Sequence, residues 1–149
     1  MAGTEIPRAL SVIYCDDIRL EVGNKYSLLG IYQGGLLVPD FPAVLAKFGI
    51  FTTVVTPQSR PFGKLRIKLL KNDDVFFSQE FPAPTDVPFP ELPVELKDSS
   101  RISVTTFPLT LSPFPVEGPV FIRVRIETDG EELRGPGLLI QKAPTPATK

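Results

Sequence analysis

Lys64-Leu65-Arg66-Ile67-Lys68-Leu69-Leu70-Lys71-Asn72-Asp73-Asp74-Val75-Phe76-Phe77-Ser78 is the stretch that decides the fold class of this chain. From Lys64 to Leu69 every second residue is apolar, and successive side chains of an extended strand point to opposite faces. Leu65, Ile67 and Leu69 are therefore expected to face a core, while Lys64, Arg66 and Lys68 face water. Asn72-Asp73-Asp74 supplies a turn, because Asn and Asp bond to nearby backbone and tolerate the left-handed region. Val75-Phe76-Phe77-Ser78 then returns as the partner strand.

The same pattern recurs near the C-terminal end. Val120, Ile122, Val124 and Ile126 share one face, and Arg123, Arg125 and Glu127 share the other. Asp129-Gly130 is a two-residue hairpin signal. Glu131 to Arg134 begins the return, and Leu138-Leu139-Ile140 continues it past the break at Gly135-Pro136-Gly137. Residues 9–15, 26–32, 48–55 and 101–106 read as further strands. Helical periodicity is nearly absent; residues 42–47 are the one place where a single helical turn is considered. About eight strands separated by turn signals imply an all-β fold, a single antiparallel β-sandwich, immunoglobulin-like in the loose architectural sense.

Composition agrees with that reading. A chain of 149 residues fits one domain with a proper core. Its 17 prolines are more than twice the average share of about 5%, and proline is costly inside helices and central strands. Short strands and many loops follow. Residues 81–96 hold Pro82, Pro84, Pro88, Pro90 and Pro93 without any period. With Phe81, Val87, Phe89 and Leu92 interleaved, this segment is expected to be an extended sheet-to-sheet crossover packed on the body. The sandwich domain is placed at residues 1–142. The tail 143–149, Ala143-Pro144-Thr145-Pro146-Ala147-Thr148-Lys149, lacks an apolar anchor and is expected to be flexible unless a partner orders it.

Several function classes are excluded at this level. A net charge of −1 offers no broad electrostatic footprint for nucleic acid and no polybasic handle for an anionic membrane. Cys15 is the only cysteine, so no internal disulfide forms, and a reducing compartment fits. The start of the chain has no apolar signal region and no run approaches the ~18 residues of a membrane span; cytoplasmic synthesis is expected. No histidine occurs. That removes Ser-His-Asp and Cys-His sites and ordinary zinc sites. Phosphate-cradling glycine motifs are missing too. No cofactor is expected.

Among the remaining groups, Asp16, Asp17 and Glu21 are the best acidic cluster. They are weak candidates for a hard cation, which takes several carboxylate and carbonyl oxygens. The favoured alternative is a strand-end turn in which Asp16 or Asp17 accepts backbone N–H bonds, balanced by Arg19 or Lys25. Asp16, Asp17, Arg19, Gly23, Asn24 and Lys25 would then be structural turn residues. Lys64, Arg66, Lys68, Arg123 and Arg125 would form a basic sheet face if their strands are neighbours; a solvated outer face is the favoured reading. Cys15 reads as a small buried hydrophobe whose pKa the adjacent Asp16 and Asp17 raise.

Residues 14–32 read Y-C-D-D-I-R-L-E-V-G-N-K-Y-S-L-L-G-I-Y. This segment resembles a small bacterial and bacteriophage family of unknown function, with its Cys-Asp-Asp-x-Arg opening, turn, Ser-Leu-x-Gly-x-Tyr strand and a Pro-flanked loop such as Val38-Pro39-Asp40-Phe41-Pro42. Asp16, Asp17, Arg19, Glu21, Lys25 and Gly30 are the matching positions. Gly23-Asn24 departs from the two glycines expected at the turn. The resemblance implies a compact β-rich domain and brings no activity.

Three expectations follow. The leading one is a non-enzymatic structural or interaction protein, a capsid-decorating or accessory component of a bacteriophage virion, with protein partners in a larger assembly or homo-oligomer and none among nucleic acids or membranes. The alternative is a cytoplasmic bacterial binding module for a small ligand, metal ion or protein partner. The third, a hydrolase or lyase running on carboxylates alone, has little room for a deep cleft in a sandwich this short. Partner contacts are expected on the Pro-rich crossover, the tail or an exposed sheet edge.

Overall fold

The structure, a computed structural model, describes residues 7–83 and 102–145. Among these residues there is no helix. One sheet has the order β2 (Lys25–Ile31), β1 (Ala9–Glu21), β5 (Phe48–Pro57), β8 (Ile102–Leu111), all antiparallel. The other runs β3 (Leu36–Val38), β12 (Leu138–Lys142), β10 (Val120–Thr128), β6 (Leu65–Lys71), β7 (Asp74–Phe81), and β11 (Glu131–Arg134) also pairs with β10. A small ribbon joins β4 (Ala43–Leu45) to β9 (Phe114–Val116).

The period-two pattern decides which side of each strand is dry. β10 alternates between buried and half-buried residues along its whole length, as does most of β6. Ile50, Val54 and Phe48 from the first sheet share one apolar core with Leu65, Ile67, Leu69, Ile122, Val124, Ile126 and Ile140 from the second. Each such side chain contributes about 1.5–3 kcal/mol when fully buried. The two sheets therefore face each other across a single core. Tyr14 spans it: from β1 its hydroxyl donates to the Pro136 carbonyl oxygen at 2.8 Å, in the break between β11 and β12. Burial pushes the Tyr14 pKa up, so the phenol remains a donor. Within the core, Phe48 stacks on Phe114 of β9 with ring centroids 5.1 Å apart.

The structure corrects several expectations. Among the described residues twelve strands replace about eight, because three-residue pieces such as β3, β4 and β9 carry too little sequence to show a period. Residues 43–45 form β4, paired with β9, where a helical turn was considered; an unpaired edge satisfies more backbone by bridging than by one isolated turn. One pair, β12 with β3, is parallel. β1 does not stop at Cys15 but continues to Glu21, which puts Asp16, Asp17 and Arg19 inside a strand. The turn itself is Val22-Gly23-Asn24, with Gly23 and Asn24 at φ 92° and 57°, and Lys25 opens β2. The Pro-rich crossover lies outside the described residues beyond residue 83. Phe81 belongs to β7 and packs on Phe107 at 4.9 Å. The first tail residue is tied down, since Ala143 N donates to Val38 O at 2.8 Å; residues 146–149 lie outside the described residues.

Candidate functional site

β1 changes partner half-way. Ala9 to Cys15 pair with β5, and Cys15 to Glu21 pair with β2. The second half and β2 therefore form an arm that leaves the flat of the sheet. It leans over the sheet's outer face: a Cβ on Gly49 would come within 3.0 Å of Ile18 Cγ1, and the Tyr26 ring lies edge-on to Phe51 at 5.4 Å. The close approach at Gly49 admits Ile18 because no side chain stands there. Cys15, beneath the arm, is fully buried. Burial first, and then the Asp16 and Asp17 charges, raise its pKa and leave it without thiolate character.

At the bend the two carboxylates separate. Asp16 accepts the Tyr32 hydroxyl and lies over Gly30, whose φ is +67°. Burial and the Asp16 contact both push the Tyr32 pKa up. Asp17 accepts the Ile18 N–H at 3.0 Å and pairs at longer range with Arg19 at 3.4 Å and Lys47 at 3.7 Å. Glu21 lies four residues further along an extended strand, about 13 Å away. The three acids thus do not converge, and among the described residues no group of three metal-ligating side chains does. Asp16, Asp17, Tyr32, Val44, Leu45 and Lys47 instead line an open cleft of about 430 Å³ between the bend and β4.

The other end of the first sheet is closed by a residue that has no local sequence signal. Arg8, just ahead of β1, is buried. Its Nε donates to Thr56 Oγ1 at 3.0 Å, Nη1 to Glu131 at 2.7 Å, and Nη2 to Asp129 at 2.7 Å and to the Arg60 and Pro61 carbonyls at 3.2 and 3.1 Å. The guanidinium also lies over the Phe62 ring at 4.8 Å. Arg60 reinforces Glu131 at 2.6 Å. The Arg8 contact is the main force holding the Asp129 and Glu131 carboxyls below their usual range. This node ties three distant pieces of chain together, and its Asp129 and Glu131 also border an open cleft of about 380 Å³.

The basic face is interleaved with acids. β6 and β10 are neighbours, and Lys68 pairs with Glu127, Arg125 with Glu132 at 3.4 Å, Arg66 with Glu80 at 3.4 Å, and Arg123 with Asp73 at 3.4 Å. Opposite charges on adjacent strands cancel the field an anionic partner would need.

The sheet edges differ sharply. An open edge presents free N–H and C=O groups, and proteins guard it with charge, proline, bulges or brevity. β8 contains Pro108; β7 carries Asp74 and Glu80, and its pairing with β6 shifts register at Leu69/Leu70; β3 has three residues followed by Pro39. β2 has none of these devices after Lys25: Tyr26-Ser27-Leu28-Leu29-Gly30-Ile31 has neither charge nor proline. Among the described residues nothing pairs with its outer side. Around it Leu20 is 67% exposed, Val22 95%, Leu29 41% and Ile31 50%.

The chain belongs to DUF6941, a family of unknown function. The family model matches residues 10–141 and so takes in both sheets and the arm. No curated protein and no solved structure matches the chain.

Proposed function

We propose that this chain is a non-enzymatic structural or interaction protein that engages partners by strand addition at β2, and that in its specific form it is a capsid-decorating or accessory component of a bacteriophage virion. The observation that supports it is the unguarded β2 edge with exposed Leu20, Val22, Leu29 and Ile31 beside it. Edges of this kind bind through main-chain hydrogen bonds, with alternate side chains supplying specificity. The absence of histidine from the sequence leaves little for catalysis to use. The test is quantitative protein analysis of purified particles. Stoichiometric retention, lost on Leu29→Glu, supports the reading; a protein that no particle or cellular complex retains overturns it.

A second reading is favoured by one separate observation. The Asp16 carboxylate borders the cleft at the bend and has no cationic partner among the described residues. A cytoplasmic binding module would use this cleft for a small cationic ligand or metal ion. A rise in melting temperature on adding calcium, reversed by a chelator, supports it, because a ligand that binds only the folded state stabilises that state by mass action. No shift with calcium removes the metal version.

A further inference from the structure

We infer that the β2 edge is occupied by the β2 edge of a second copy of this chain, joined antiparallel about a two-fold axis through Ser27. The inference deepens the interaction-protein reading and rests on it. Three features of β2 carry it. The regular extended run ends at Gly30, whose φ of +67° turns the chain out of the strand conformation. The usable edge is therefore Lys25 to Leu29, five residues whose midpoint is Ser27. An isologous dimer places its axis at such a midpoint.

That register is self-complementary on both faces. It sets Lys25 opposite the partner's Leu29, Tyr26 opposite the partner's Leu28, and Ser27 opposite the partner's Ser27. Within one copy, Arg19 faces Ser27, Leu20 faces Tyr26, Glu21 faces Lys25, Ile18 faces Leu28 and Asp17 faces Leu29. Combining the two gives rows across four strands. One face reads Leu20, Tyr26, the partner's Leu28 and the partner's Ile18, an unbroken apolar row. The other face reads Glu21, Lys25, the partner's Leu29 and the partner's Asp17, so each Lys25 has its own Glu21 on one side and, across the seam, the partner's Leu29, with the partner's Asp17 one strand beyond. Asp17 accepts the Ile18 N–H at 3.0 Å, and among the described residues the cations of its own copy reach it at 3.4 and 3.7 Å. Like charges meet nowhere in the shared sheet, the condition for stable cross-strand pairing. Two four-stranded sheets become one continuous eight-stranded sheet, and the open edge at β2 disappears. An interface of this size belongs to the weaker class of specific contacts.

Sedimentation of the full chain between ~1 and ~200 µM tests the idea. A concentration-dependent dimer is expected. Ser27→Lys and Ser27→Asp each place two like charges on the axis and are expected to be monomeric, with circular dichroism unchanged. An equimolar mixture of the two variants is expected to dimerise again, at least as tightly as the parent, which also shows that both are folded. A strictly monomeric parent, or a dimer that Ser27→Lys leaves intact, overturns the inference. A monomeric parent that particles still retain removes the dimer while leaving the broader interaction reading standing; loss of both removes the two together.

Discussion

The two ends of the first sheet handle their backbone and charge in opposite ways. At one end Arg8 is buried and its guanidinium reaches side-chain and carbonyl acceptors from β5, the loop after it, and the β10–β11 hairpin. At the other, β1 bends away at Asp16 and Asp17 and sends out an arm with apolar side chains in water and an edge without a neighbour among the described residues. The first end commits its polar groups to closing the sandwich. The second leaves apolar surface that folding alone does not use, the kind of patch from which the proposed partner contact is argued. Substitutions should separate the two roles: changes at the Arg8 end should move stability, and changes at the arm should move association.

The largest effect is expected at Arg8. Arg8→Ala removes the hydrogen bonds and packing of a buried cation and should cost roughly 3 kcal/mol, read as a lower urea midpoint. The same contrast has a pH signature. Asp129 and Glu131 have lowered folded pKa values, with Arg8 as the main cause. Groups with depressed pKa contribute stability that is present above their unfolded values, 3.8 and 4.5, and is lost as pH falls through the folded ones. The parent protein should therefore lose stability below about pH 4.5 more steeply than Arg8→Ala does. Equal acid slopes in the two proteins would show that the node does not set their acid response.

Gly30→Ala comes next. It forces a side chain into a left-handed backbone position and into the space of the Asp16 carboxylate, at a cost of about 1–2 kcal/mol from the backbone alone. Because Gly30 ends the usable edge, this variant should also alter self-association, which no Arg8 variant should do. In the core between the two ends, Thr52 is fully buried and its hydroxyl has no partner among the described residues. Thr52→Val keeps the shape and removes the unpaired group, so a gain of about 1 kcal/mol is expected, read as a higher melting temperature. Smallest of all is Val22→Ser at the arm tip. Its effect on stability should stay within about 0.5 kcal/mol, because the side chain is 95% exposed in the single copy. A large destabilisation there would mean that the arm supports the fold and is not free surface.

Much of the sheet content was legible because it is local. The alternation at Leu65, Ile67 and Leu69 and at Val120 to Ile126 appears as the buried faces of β6 and β10, and Asp129-Gly130 turns the hairpin between β10 and β11. The β2 edge was legible in part, since an uncharged run without proline is visible in the residues after Lys25. Its exposure was not, because that depends on which strand ends a sheet. The bend at Asp16 was misread as a strand end: two adjacent acids favour turns in general, but here Tyr32 and the Ile18 N–H satisfy them within a continuing strand. Arg8 gave no signal at all, as one of its carboxylate partners is 121 residues away and the other 123.

By itself, then, the sequence determined the strand type, the inward face of the long strands, the tight hairpins and the exclusion of histidine and disulfide chemistry. These follow from side-chain alternation and residue identity, which act over a few positions. The tertiary structure decided which strands are neighbours and which edges stay open. It also decided that the basic residues of β6 and β10 meet acids, and that Arg8 finds its carboxylates. Those outcomes depend on contacts between segments tens of residues apart, and no local pattern encodes them.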